Sequence, residues 1–256
     1  MNRLGRAVIP PLVAAVVGVG VWAASVAAFH VPRYVLPGPG VVAGAVWERP
    51  GTYAGATVLT AAESLGGFFA AVAVGSAAGL VFAVSPLLRS AMYPYAIFLQ
   101  TVPVVAVAPL IILWMGYGPQ AVVVVSAVVG LFPVVANVTA GLVDVDPRLA
   151  EVFALYRAGR WRTLWRLRVP SAVPALVVGA KTSAGLSVIG AIVGEFFTGY
   201  GSGPRGLGYL IRASADQTKT ADLFAAVLLS TLLGVALFAG IAAAADRLVK
   251  GRYDLR

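Results

Sequence analysis

Ten polar side chains interrupt long apolar runs: Glu63, Gln100, Ser126, Asn137, Thr139, Lys181, Thr182, Ser183, Ser187 and Glu195. Catalysis or metal binding would need several suitable groups gathered at one depth. The chain has one histidine, His30, and no cysteine, and its carboxylates are widely separated. A membrane-embedded enzyme is therefore not the expected reading; no catalytic residue and no metal site are assigned, and disulfides are excluded. No Gly-x-x-x-x-Gly-Lys-Ser/Thr phosphate loop occurs either, so this chain is not expected to hold ATP or its magnesium. Lining a passage is the chemistry that remains. Charge inside a bilayer is costly unless it faces protein or water, which makes Glu195 and Lys181 functional candidates. Gln100, Asn137, Ser183, Ser187 and Glu195 are the expected pathway residues.

A second constellation lies in LAEVFALYRAGRWRTLWRLRVPSAVP, Leu149 to Pro174, with five arginines, two tryptophans and two prolines. Asp146 is a plausible N-cap, Pro147 suits a first helical position, and Glu151 is placed in the first turn, near the positive helix end. Val152, Leu155, Tyr156 and Gly159 then share one face of a short helix. Gly159 permits a break, after which Trp161, Leu164 and Trp165 form a second apolar face flanked by arginines. The pattern predicts two short helices: one projecting from the membrane, one lying on its surface with snorkelling arginines.

The elements that position these residues are membrane spans. Of 256 residues only 11% are charged, and the mean hydropathy is +0.91. Apolar runs predict an all-α polytopic chain forming one transmembrane domain over residues 1–256. Six spans are expected, at about 7–29, 57–84, 93–115, 120–143, 172–197 and 222–245, with a cytoplasmic loop at about 144–171. The first run, Ala7–Phe29, is longer than a signal-peptide core and reads as an uncleaved span. Pro103, Pro109 and Pro133 predict kinks within spans three and four. Glycines at 66, 75 and 79, and at 179, 185 and 190, suit close helix packing.

Thirteen of the 19 Lys and Arg residues fall on the N-terminus, the loops at Arg89 and 148–168, and the C-terminus. That bias predicts both termini in the cytoplasm, with Val31–Ala56 and Tyr200–Thr220 outside. It also accounts for the net charge of +9 without a nucleic-acid partner.

Several stretches carry a resemblance. Glu151, followed by Leu167, Val169 and Pro170, matches the spacing of the "EAA" loop of binding-protein-dependent ABC importer permeases. AVAVAPLIILWMGYGPQ, FPVVANVTAGLVDVDPRLAEV and GEFFTGYGSGPRGLGYLI resemble, in order, segments of the nitrate/sulfonate/taurine-type members. The likeness runs from about Thr57 to Asp246. YRAGRWRTLWRLRVPSAVP with GAKTSAGLSVIGAIVGEFF looks most like the branch linked to thiamine-precursor pyrimidines or riboflavin. One departure is clear: the loop glycine of that family corresponds to Arg157, and a glycine follows at Gly159, so the turn lies at one or the other.

The resemblance implies a type I importer permease in the plasma (inner) membrane of a prokaryote. It implies a pair of ATPase subunits carrying ATP and magnesium, an external or periplasmic solute-binding protein, and a second permease copy, expected as a homodimer. The loop would then couple to the ATPase through Asp146, Pro147, Glu151, Phe153, Leu155, Tyr156, Arg157 and Gly159. Expected cargo is a small polar solute: nitrate, sulfonate or taurine-like, or a thiamine-precursor pyrimidine or riboflavin. The rival reading, a secondary transporter, needs no ATPase but normally shows repeated halves or a coupling-ion site; no internal repeat is evident.

Overall fold

Lipid offers no partners to backbone N–H and C=O groups, so a chain this apolar must satisfy them within helices. A computed structural model of the protein describes residues 3–198 and 205–250, and these contain helices and no strand. The expected loop residues 199–204, and Arg252 and Arg256 at the C-terminus, lie outside the described residues.

The helices are α1 (Arg3–Ala28), α2 (Pro39–Glu48), α3 (Pro50–Val84), α4 (Pro86–Thr101), α5 (Val104–Met115), α6 (Pro119–Val143), α7 (Pro147–Leu155), α8 (Arg160–Thr163), α9 (Val169–Thr198), α10 (Leu207–Asp216) and α11 (Thr220–Lys250). A π-helical segment, Leu164–Arg168, joins α8 to α9. Five helical stretches are long and apolar enough to cross a bilayer; Val104–Met115 is a shorter apolar helix.

The expected third span is thus two helices. Val102 precedes a proline and takes extended backbone (φ −71°, ψ 125°), as does Pro103 (φ −62°, ψ 118°). A proline ring disfavours helical geometry in the residue before it, and the missing N–H breaks the ladder. Pro94, Pro109, Pro133 and Pro174, by contrast, remain inside helices.

The segment from Arg160 to Thr198 corrects a second expectation. Instead of a separate surface helix followed by a re-entry at Pro170, it is one continuous apolar stretch of 39 residues. The π turn is closed by Val169 N–H donating to the Leu164 carbonyl, and Pro170 follows at once. The widened turn accommodates a ring that would crowd the carbonyl four residues back. Trp161 and Trp165 are therefore the exposed rim of span five, while Leu164 and Leu167 are buried. Arg168 Nη1 donates to the Ala83 carbonyl at 3.3 Å and so caps the last turn of α3.

α6 and α9 form the central pair, with α3 packed across both. Backbones approach closely through glycine: a Cβ at Gly67 would collide with Ser126, one at Gly75 would lie 2.8 Å from Val134 Cβ, and one at Gly79 2.7 Å from Val138 Cγ1. Gly67, rather than the expected Gly66, makes the tight contact, and Gly185 has open space around it. Val134, Val138 and Leu142 complete this core with Ala83 and Ala172. On the other flank α10 and α2 pack on α11. None of the apolar window of α1 is buried within the chain.

Candidate functional site

The break between α4 and α5 opens onto a cavity of about 670 Å³. Thr101, Val102, Pro103 and Val104 form one wall, and α6 and α9 form the other. Non-helical backbone at membrane depth persists only where protein or water meets it, and here it faces a cavity between helices. Phe132 and Pro133 of α6, and Leu186 and Ile189 of α9, make the lining mainly apolar. Among the described residues its polar lining groups are Thr101, Asn137 and Thr182, and none of the described lining side chains is charged. Both threonine hydroxyls bond their own helices, to the Phe98 carbonyl at 2.8 Å and the Val178 carbonyl at 3.2 Å. Asn137 Nδ2 donates to the Pro133 carbonyl at 2.8 Å, which leaves its amide oxygen as the acceptor available to a solute.

A buried polar cluster joins α3, α9 and α10. Thr60 Oγ1 donates to Glu195 Oε1 at 2.6 Å and accepts from Leu207 N–H at 2.9 Å. Gly208 N–H donates to Glu195 Oε2 at 2.6 Å. Thr60 and Glu195 thereby cap the N-terminus of α10, whose first amides have no partner in their own helix. The approach requires glycine: a Cβ at Gly206 would strike the Glu195 carboxylate, and one at Gly208 the Ile192 carbonyl. The Gly-Leu-Gly stretch is thus a seat for α10. Beyond it, Asp222 in the first turn of α11 accepts from Arg49 and, at 2.7 Å, from Tyr53 Oη. The hydrogen bond from Arg49 raises that guanidinium above its ordinary range.

At the opposite end, α7 stands off the bundle with no buried residue. Asp146 caps it, its Oδ1 accepting from Arg148 N–H at 2.9 Å, and Pro147 is the first helical residue. Glu151 is the fifth residue of the helix, hence in the second turn and not the first. The helix stops at Leu155, so Gly159 does not share its apolar face. Leu155 is 82% and Tyr156 80% exposed.

The turn itself falls at Arg157. Its φ is 49°, its N–H donates to the Ala154 carbonyl at 2.9 Å, and Ala158 N–H donates to the Phe153 carbonyl at 2.9 Å. This is the Schellman closure that usually employs glycine in the left-handed position. Gly159, the alternative, has extended backbone (φ −62°, ψ 157°) and simply starts α8.

A projecting capped helix between two core helices that wall a cavity is the arrangement expected of a transport subunit. The model of the family described as "Binding-protein-dependent transport system inner membrane component" matches residues 71–251. The chain belongs to this family. Among its relatives is a riboflavin transport system permease protein of Chloroflexus aurantiacus, 34% identical over 219 residues (85% of this chain, 80% of the relative). A formylaminopyrimidine transport permease protein of Halalkalibacterium halodurans is 35% identical over 151 residues, covering 59% of each chain. The taurine transport system permease protein of Escherichia coli is 24% identical over 180 residues, 70% of this chain and 64% of that one.

In the permease, the residues singled out by sequence separate into three places. Asn137 lines the cavity, whereas Ser183, Ser187 and Glu195 are buried in helix contacts, the two serines facing Gly130 of α6. Gln100 lies in α4 near the break; its side-chain surroundings are outside the described residues. Asp146, Pro147, Glu151, Phe153, Leu155, Tyr156, Arg157 and Gly159 all belong to the projecting unit. Sequence reasoning missed Thr60, and it missed Asp246, which pairs with Lys181 at 2.6 Å. The cost of an intramembrane lysine was the signal that an acid had to lie nearby.

Proposed function

We propose that the permease is the membrane-spanning half of an ATP-driven importer, working as two copies around one pathway. Both termini face the cytoplasm; a pair of ATPase subunits, carrying ATP and magnesium, docks beneath, and an external binding protein delivers the solute. One observation supports this above others. α7 follows the end of α6 by a three-residue link and precedes α8 by four residues, while α6 and α9 wall the cavity. Force on α7 therefore reaches the cavity walls directly, and two packed helix arrangements convert it into opening or closing. The exposed Leu155 and Tyr156 supply the apolar contact, and Glu151 and Arg157 carry charges with no ion pair among the described residues.

The cargo is best read as a neutral, ring-shaped polar molecule, as in the names of the riboflavin and formylaminopyrimidine relatives. What supports this is that no described residue lining the cavity is cationic, since an unpaired anion in an apolar enclosure is strongly disfavoured. The test is uptake by proteoliposomes holding the permease, its co-purified ATPase and binding protein. Riboflavin or formylaminopyrimidine should enter only with ATP; ATP-driven uptake of taurine alone would overturn the cargo reading. ATP-independent uptake would overturn the importer. Cysteines placed at Arg33 and Arg160 should be labelled from opposite faces of the membrane, and labelling from one face would refute the topology.

A further inference from the structure

We propose that the foot of the Arg160–Thr198 stretch binds the headgroup of an anionic phospholipid, held by Arg162 and Arg166 beside the rings of Trp161 and Trp165. The two tryptophans are exposed one turn apart, and the two arginines repeat one position on, also exposed. A ring stripe and a guanidinium stripe therefore run side by side. The bundle fixes this surface in place: Leu164 and Leu167 are buried, and Arg168 donates to the Ala83 carbonyl at 3.3 Å. α7, which buries nothing, has no such hold.

Depth follows from charge. Residues 169–194 hold one charged side chain, Lys181, and supply the run of about 20 residues that a hydrocarbon core requires. Arg160 to Arg168 thus fall in the headgroup layer, where indole rings settle and guanidinium groups meet phosphate. The charge there has one sign. No Asp or Glu occurs between Glu151 and Glu195, and no described acid pairs with Arg160, Arg162 or Arg166. A guanidinium fork matches the oxygens of a phosphate, and two forks one turn apart suit a phosphodiester whose headgroup adds no cation. A zwitterionic headgroup would set its own ammonium among arginines. An acidic protein surface fits less well, because the tryptophan stripe beside the arginines belongs at lipid depth. The assignment does not depend on how the permease is powered or on what it carries.

The full chain in lipid nanodiscs tests this through tryptophan fluorescence, since Trp161 and Trp165 are two of its five tryptophans. Bromine on a lipid chain quenches an indole that it touches. Brominated phosphatidylglycerol should quench more than brominated phosphatidylcholine at equal mole fraction. Arg162→Gln combined with Arg166→Gln should cut that extra quenching by about threefold or more. Quenching by brominated phosphatidylcholine should stay unchanged, reporting a folded and inserted chain. Arg148→Gln combined with Arg157→Gln removes the same charge from the α7 unit and should leave the extra quenching intact. Equal quenching by the two lipids in the wild type, a comparison that needs no variant, would overturn the proposal. So would an equal loss in both double variants, which would show a diffuse field and no site. Loss of the co-purified ATPase from the Arg162→Gln and Arg166→Gln chain, with the lipid preference unchanged, would assign this face to a protein partner instead.

Discussion

Lys181 of α9 and Asp246 of α11 form an ion pair at 2.6 Å, tying the core to the last helix near its C-terminal end. Lys181 is 27% and Asp246 50% exposed by side chain, and Asp246 lies one turn from the end of α11, so the lysine reaches out of its apolar run to a pair that water screens. Lys181→Met should therefore lower stability by only about 0.5–1 kcal/mol. Neither residue lines the cavity, so uptake should persist, and Lys181→Asp combined with Asp246→Lys should recover much of the loss. Thermal unfolding in two salt concentrations checks this; an effect independent of salt would contradict a screened pair.

Arg157 holds a left-handed turn that glycine adopts without strain. Arg157→Gly should stabilise the α7 turn by about 1 kcal/mol, seen as slower amide exchange at Arg157 and Ala158. Gly159 has no positive φ, and a methyl group there would meet no atom within 4 Å, so Gly159→Ala should be close to neutral. The reverse ranking would place the turn at Gly159.

Leu155 and Tyr156 are the most exposed apolar groups of the projecting unit. Leu155→Asp or Glu151→Lys should leave the permease inserted and folded, because α7 contributes nothing to the core. Retention of the ATPase on an affinity column should fall by about tenfold or more for Leu155→Asp. Unchanged retention in both variants would remove α7 from the interface.

Gly67 and Gly185 offer a paired packing test. A methyl group at Gly67 meets Ser126 and, at 2.9 Å, the Ala127 backbone nitrogen, whereas Gly185 faces open space. Gly67→Ala should cost about 1–3 kcal/mol, and Gly185→Ala should be neutral or stabilising. Equal midpoints for the two variants would show that α3 and α6 do not pack this way.

Which features are legible in the sequence follows from the range of the interactions behind them. Asp146, Pro147 and the apolar runs act over a few residues, so the helices and the projecting loop were legible. The proline break was not, because Pro94, Pro103 and Pro109 are locally alike, yet only Pro103 sits where α4 and α5 separate beside a cavity. The merger of the Trp161 segment with span five depended on a π turn that periodicity does not reveal. Thr60 and Glu195 lie 135 residues apart, and no spacing rule connects them. Ser183 and Ser187 are polar groups in an apolar span, and polarity alone does not separate a pathway residue from one in a close helix contact.

The unbroken stretch from Arg160 to Thr198 reaches about 58 Å end to end, well beyond a hydrocarbon core of about 30 Å. At one end it takes up the turn after α7; at the other Glu195 holds α10. Any protein that favours one setting of this rod at the α10 end must change the affinity of a partner for α7. A partner at α7 must change the affinity at the α10 end by the same factor, since coupling between two binding equilibria is reciprocal. A helix continuous through the membrane is therefore a two-way messenger, and the strength of its message in one direction can be measured from the other.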